Sequence, residues 1–364
     1  MRKRRVLILT HESLVPPASL AGCSEQQISE WQTEYDVMSW LREAGHDVQV
    51  LGLYDNLAEL RTRIVEWQPE VAFNLLQEFQ GVVSYDQHIV AYLELMRQPY
   101  TGCNPRGMML SRDKVLSKQV LAFHRIPTPR FALFRRGRRY QLSQKLSYPL
   151  FVKSATEDAS LGISQASIVE DRARLKERID FIHEHTRTDA LVEEYIEGRE
   201  LYVAVDGNER LTTHPVWEMD FGTLPDVMAG IATRKVKWDR KYQQKHGIRT
   251  GKAGRLGPGA EEQLRRFSKR IYRALHLSGY ARMDFRLRPD GRVYLLEANC
   301  NPNLSKDEDF AESAANGGLP YGALLERLLR LGLGYEAKWR SGRTNGPAAR
   351  IMNIVGPRAR STST

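Results

Sequence analysis

The sequence predicts an α/β fold of mixed α+β character, with a parallel sheet at its N-terminal end. Three observations carry that expectation. Apolar strand-like runs alternate with helical patterns over about the first hundred residues, as in sheets built through helical crossovers. Residues 149–153, 190–196 and 200–205 are further strands, separated by turns and one amphipathic helix. Near the other end, residues 282–287 alternate polar and apolar side chains, Pro289-Asp290-Gly291 supplies turn chemistry, and residues 293–296 return. That pattern is an antiparallel hairpin.

In order along the chain, residues 6–10 (VLILT) read as a buried strand, and Pro16-Pro17 then breaks the chain. Ile28, Trp31, Tyr35, Met38 and Leu41 recur at helical spacing, so residues 24–44 read as one helix stopped by Gly45. Residues 47–53 and 71–76 are the next strands, 57–67 and 88–96 the next helices. No G-x-G-x-x-G follows the first strand and no G-x-x-x-x-G-K-[ST] occurs, which removes support from a Rossmann site and a Walker loop. A helix begins at Asp113 and runs to about Phe123, and Ile126-Pro127-Thr128-Pro129 ends it. The strand at 149–153 ends in Lys153 and leads into a small-residue loop, 154–164. An amphipathic helix covers 169–184, the strand at 190–196 carries acids near its end, and Gly198 turns the chain into 200–205.

The chain has 364 residues, of which 41% are hydrophobic and 27% charged. That length favours two or three domains with a substantial core. No apolar run reaches membrane-span length. The basic start precedes only Val6 to Leu9 as apolar residues, too short for a signal-peptide core. Cys23, Cys103 and Cys300 show neither metal spacing nor a disulfide framework, so a cytoplasmic location is expected. The net charge of +10 is concentrated at the ends. Residues 337–364 hold Lys338, Arg340, Arg343, Arg350, Arg358 and Arg360 and no acid, and are expected to be a basic, disordered tail. The body is near neutral, and nucleic-acid binding loses support.

The hairpin places Asp284 on one strand near Glu297 and Asn299, two residues apart on the other. Two carboxylates and an amide oxygen repel unless a hard cation joins them, and oxygen-only ligands suit Mg²⁺. The bland alternative is a solvated hairpin with scattered acids. Lys118 and Lys153 precede a loop able to fold over an anion, and Glu193 and Glu194 tip a strand. Alone, each could be a solvated charge or a strand edge. Their order along the chain is the stronger observation.

With those blocks in place, ELMRQPYTGCNPRGMMLSRDKVLSKQVL, PLFVKSATEDASLGIS, LVEEYIEGRELYVAV, GYARMDFRL and YLLEANCNPN together resemble the ATP-grasp superfamily, in its D-alanine–D-alanine ligase branch. The resemblance runs from about Val6 to Leu333 and is strongest after Leu95. It implies a three-domain fold: a pre-ATP-grasp domain (1–112), a central ATP-grasp subdomain (113–196) and a C-terminal one (197–336). It implies ATP held by Lys118 and Lys153 at the phosphates, with Ser160 and Gly162 in the covering loop. Glu193, Tyr195 and Ile196 would line the adenine pocket, and Glu200 would take the ribose. Two Mg²⁺ ions, or Mn²⁺ in their place, would sit on Asp284, Glu297 and Asn299. Arg282 would steady the reacting carboxyl, and Lys237, or else Lys235 or Lys241, would reach the γ-phosphate. Small-molecule carboxylate and amine substrates, and a homodimer, follow as family expectations.

Some stretches depart from the family pattern. THESLVPP replaces the Gly-rich loop with its substrate-gripping glutamate, leaving Glu12 as a stand-in. LSKDEDFAES replaces the small hydroxyl residues after NPN, and Asp158-Ala159-Ser160 stands where glycine and serine are expected. The expected function is an ATP-dependent carboxylate–amine ligase with a rebuilt acceptor pocket. D-alanine–D-alanine ligation and ATP-binding regulation without turnover are the alternatives.

Overall fold

The computed structural model describes residues 2–138, 146–156, 163–224, 233, 236 and 239–337. The mixed α/β expectation holds. Among the described residues the strands form one parallel and two antiparallel sheets.

The first sheet joins β1 (Arg5–His11), β2 (Asp47–Leu53) and β3 (Val71–Asn74), all parallel, in the order β2-β1-β3. Val6 to Leu9 are wholly buried, as a continuous apolar run covered on both faces must be. Between β1 and β2 lie α1 (Glu25–Glu30) and α2 (Gln32–Glu43), and α3 (Leu57–Trp67) precedes β3. The single helix expected over 24–44 is therefore two. The Ser24 hydroxyl accepts from the Gln27 N–H at 3.3 Å, and the Gln27 side chain accepts from the Ser24 N–H at 2.9 Å. Trp31 then leaves helical geometry at φ −120°, with its ring buried against Tyr35. Apolar periodicity reports which face is covered, and Trp31 keeps that face while the backbone breaks.

Three more helices follow: α4 (Asp86–Leu95), α5 (Pro105–Arg112) and α6 (Lys114–Phe123). The helix α5 was not anticipated, although Asn104 as N-cap followed by Pro105 is its start signal. The strand expected at 71–76 stops at Asn74, and the helix expected at 88–96 begins at Asp86.

The second sheet orders β4 (Phe131–Phe134), β5 (Leu150–Ser154), β6 (Ile168–Val169) and β7 (Ala190–Glu194) as β4-β7-β5-β6, all antiparallel. The helix α7 (Arg172–His185) covers it. This helix starts after the expected 169 because the Asp171 carboxylate accepts from the Arg174 N–H at 2.8 Å. Leu150, Val152, Leu175, Ile179, Ile182 and Val192 form a core of their own.

The third sheet contains β8 (Arg199–Asp206), β9 (Thr212–Thr213), β10 (Trp217–Asp220), β11 (Arg249–Lys252), β12 (Tyr280–Leu287) and β13 (Val293–Asn299). Its order is β11-β10-β8-β12-β13, with β9 on β8. The helices α8 (Arg240–His246) and α9 (Ala260–Ala274) lie within this stretch, and α10 (Asp309–Asn316) and α11 (Tyr321–Leu333) follow it. The β12–β13 hairpin is antiparallel as expected, turning through Gly291 at φ +81°. Leu324 and Leu328 of α11 share a core with Val6, Ile8 and Phe73. The first and third sheets thus share packing, whereas the second closes its own core and faces them across a cleft. No helix among the described residues is long and apolar enough to cross a membrane.

Candidate active site

A cavity of about 640 Å³ occupies the cleft. Its walls come from α2, β5, β7, the start of β8, the β12–β13 hairpin and the loop after it.

The cationic end is built by α6 and the second sheet. Lys118 stands one helical turn after Lys114, on the same face of α6. Lys153 comes from the end of β5 and Glu193 from its neighbour β7. Glu193 lies between the lysines, with Lys118 Nζ 2.7 Å from Oε1 and Lys153 Nζ 3.0 Å from Oε2. Glu193 is 2% exposed and Lys118 3%. Burial drives the Lys118 pKa down, against the pull of Glu193. Burial would raise the Glu193 pKa, but Lys118 and Lys153 together hold it below the usual value. Two cations share one carboxylate, so the trio carries a net positive charge that suits an anion in the cavity.

The hairpin supplies the oxygen edge. Asp284 and Glu297 are cross-strand partners, and Arg282 is opposite Asn299, with a bulge after Asp284. The Arg282 guanidinium donates to both Asp284 oxygens at 2.8 and 3.0 Å, lies 3.6 Å from Asp309, and stacks over the Tyr202 ring at 4.7 Å. Burial would lower the Arg282 pKa, but Asp284 raises it. Lys114 Nζ is 3.5 Å from Glu297 Oε1, and the Asn299 side-chain oxygen accepts from the Asn301 N–H at 2.9 Å. Among the described residues no three His, Cys, Asp or Glu side chains gather as a metal cluster. The donor set Asp284, Glu297 and Asn299 fits Mg²⁺ nonetheless: its hard oxygens line the cavity next to the cationic trio, where phosphate oxygens would complete the coordination.

An apolar set, Phe151, Ile196, Met219 and Ile248, lines the cavity with Tyr195, and Lys153 Nζ is 5.9 Å from the centre of the Phe151 ring. Burial raises the Tyr195 pKa. Glu200 accepts from the Tyr202 hydroxyl at 2.7 Å and from Arg286 at 2.8 Å. Arg286 also donates to the Gly198 carbonyl at 2.7 Å. These residues converge because β8 and β12 pair with Glu200 opposite Arg286 and Tyr202 opposite Asp284.

At the far end, α2 meets the loop after β13. The Thr33 hydroxyl is 2.7 Å from both the Asn303 side-chain oxygen and the Ser305 hydroxyl. Glu12, the expected stand-in, is exposed on a 3-10 turn and does not line the cavity. Glu34 does, 5% exposed and accepting from the Thr10 hydroxyl at 3.1 Å. Burial pushes its carboxyl up to about 7.

The structure therefore brings Lys118, Lys153, Glu193, Tyr195, Ile196, Glu200, Arg282, Asp284, Glu297 and Asn299 to one cleft. Ser160, Gly162, Lys235 and Lys237 lie outside the described residues, and Lys241 is an exposed residue of α8. Lys114, Tyr202, Arg286 and Glu34 were missed. Arg286 was findable, as it alternates with Arg282 and Asp284 on one strand face. Glu34 left no local signal.

The family model described as D-ala D-ala ligase C-terminus matches residues 120–330. The chain belongs to the D-alanine–D-alanine ligase-like ATP-grasp family. It is 32% identical to an uncharacterized protein of Sinorhizobium fredii, over 80% of this chain and 85% of that one. To a D-alanine–D-alanine ligase of Desulfotalea psychrophila it is 31% identical, over 72% and 78% of the two chains. The D-alanine–D-alanine ligase structure from Bacillus anthracis superposes with a TM-score of 0.71 at 20% identity, covering 91% of this chain and 98% of that one. The VanG D-Ala:D-Ser ligase structure from Enterococcus faecalis gives 0.68 at 20% identity, covering 91% and 100%. At such identity the superpositions establish the shared fold and nothing about substrate.

Proposed function

We infer that the protein is an ATP-dependent carboxylate–amine ligase acting on an amino acid or small peptide through an acyl phosphate. The observation that carries this reading is the buried Lys118–Glu193–Lys153 trio standing beside the Asp284, Glu297 and Asn299 edge at one cavity.

A carboxylate resists attack by an amine because it is already an anion and oxide leaves badly. Transfer of the γ-phosphoryl group of ATP to a carboxylate oxygen gives an acyl phosphate and ADP. The amine then attacks the carbonyl carbon, the bond to phosphate breaks, and phosphate leaves with the electron pair. The amine proton passes to solvent. What the protein must offset is negative charge as the phosphoryl group moves. Lys118 and Lys153 hold the phosphates, and Glu193 fixes both ammonium groups. Arg282 offsets charge on the reacting carboxyl. Tyr195 and Ile196 pack on the adenine, Glu200 accepts from the ribose, and Glu34 takes a substrate ammonium. Asp284, Glu297 and Asn299 would hold Mg²⁺, which supplies charge neutralisation at the phosphates.

The finer assignments belong to the same proposal. They are two ions rather than one with Mn²⁺ able to substitute, a homodimer, a cytoplasmic setting, and domain boundaries at 112, 196 and 336. The test is phosphate release from ATP across a panel of acids and amines, with D-alanine alone as one arm. Release only when acid and amine are both present, with an amide product by mass spectrometry, is the expected result. ATP binding without release across the whole panel would overturn it.

A further inference from the structure

The loop after β13 leaves the oxygen edge and follows the cavity wall. Polar contacts tie it to the first layer on both sides of Asn303. Asn301 donates its side-chain N–H to the Leu76 carbonyl at 3.1 Å, and the Lys306 backbone N–H donates to the Asp36 carboxylate at 3.0 Å. Asn303 stands between them, half-buried and lining the cavity. Its neighbours decide which way its amide faces. The Ser305 backbone N–H can only donate, and it meets one terminal atom of the Asn303 amide at 2.8 Å, so that atom is the oxygen. The Thr33 hydroxyl of α2 donates to the same oxygen at 2.7 Å. The hydroxyl of Ser305, a buried residue, is 2.7 Å from Thr33 and therefore turns its own proton toward Thr33. Both lone pairs of the amide oxygen are thus taken, and the N–H pair is what remains. Among the described residues no protein group accepts from that pair, and its nitrogen is not one of those sealed from solvent. It opens on the cavity that Asn303 lines. Donors held from behind in this way meet an incoming oxygen without first giving up a protein partner. The chain from Ser305 through Thr33 to the amide oxygen also polarises the N–H groups toward stronger donation.

We propose that Asn303 is a substrate-binding residue whose amide N–H pair donates to an oxygen of the acid or of the amine, with Thr33 as the positioning residue behind it. This inference rests on the ligase reading above and adds a named contact to it. A substrate without that oxygen leaves the donors unpaired in the cavity, which is how a site built to hydrogen-bond its substrate rejects an analogue.

The experiment uses the full-length protein with ATP, Mg²⁺ and a panel of amino acids and dipeptides as acids. Each acid is offered an amine from the same panel and, separately, hydroxylamine. The hydroxylamine nitrogen bonds to the acyl carbon, the bond to phosphate breaks, a proton passes to solvent, and the hydroxamate reports the acid alone. In Asn303→Asp the carboxylate still accepts from Ser305 and Thr33 but donates nothing, and Asn303→Ala removes the donors without adding charge. The expected result in both is a substrate KM higher by about tenfold, with kcat within about threefold. The ATP-induced rise in melting temperature should persist in Asn303→Ala. A KM effect that persists with hydroxylamine puts the oxygen on the acid, and one that vanishes puts it on the amine. Thr33→Val should raise the same KM and Thr33→Ser should restore it, a split that a merely structural role would not give. Unchanged KM values in Asn303→Ala, or a lost response to ATP there, overturn the proposal. Should no pair turn over, protein isotopically labelled at its asparagine side-chain nitrogens decides by magnetic resonance. The Asn303 signal, identified by its loss in Asn303→Asp, should shift when the pooled panel is added to the protein with ADP and Mg²⁺. An unmoved signal overturns the proposal. Failure of the parent to bind nucleotide sinks the ligase reading, which its melting curve with ATP alone reports separately.

Discussion

At the residue scale, charges without solvent decide the most. Glu193 bridges Lys118 and Lys153, so Glu193→Gln strands two buried ammonium groups. A loss of about 3–5 kcal/mol is expected, with ATP affinity falling alongside; an unchanged urea midpoint would refute the buried trio. Glu297 is different, being partly exposed and only 3.5 Å from Lys114. Glu297→Gln should melt close to the parent and lose Mg²⁺-dependent turnover, and retained turnover would remove it from the metal edge. Glu34 gives a pH signature. Its carboxyl is raised from 4.5 to about 7 by burial. A group raised in the folded state favours folding while protonated, so its contribution is full below pH 4.5 and lost as pH climbs through about 7. The stability gap between Glu34→Gln and the parent should therefore widen by about 3 kcal/mol between roughly pH 4 and pH 8. Parallel pH curves for the two proteins would contradict an uncompensated carboxylate.

At the scale of elements, the site depends on how closely two strand ends approach. Gly198, at φ +144°, precedes β8, and a Cβ there would stand 2.2 Å from the Leu287 carbonyl oxygen at the end of β12. The same turn gives its carbonyl to Arg286, which holds Glu200. Gly198→Ala should cost about 2–4 kcal/mol and raise the KM for ATP, because the strands must part and Glu200 moves with them. Normal stability and KM in that variant would show that the turn can relax. Element types were legible where the apolar pattern was long: β1, α3 and the β12–β13 hairpin lie close to where the sequence put them. The errors fell where a single side chain acts on the backbone, as Trp31 does between α1 and α2 and Asp171 does before α7.

For the molecule as a whole, the cleft lies between a sheet with its own core and two sheets that share theirs. A ligand that touches both walls should couple them. Saturating ATP with Mg²⁺, at about a hundred times its dissociation constant, should add about 2.7 kcal/mol of stability. Chelating the metal should remove most of that gain, and an equal shift with and without chelator would argue that the hairpin acids play no part in nucleotide binding. The sequence by itself determined the fold class, the family, and the residues on the hairpin and on α6 that the structure gathers at the cleft. It could do so because those residues are fixed by short-range periodicity and strand register, which are written locally. Only the tertiary structure decided that Glu193 is shared by two lysines, and that Glu34 rather than Glu12 faces the cavity. Those facts depend on which distant segments meet and on which charges lose water when they do, and neither is encoded in any one stretch of chain.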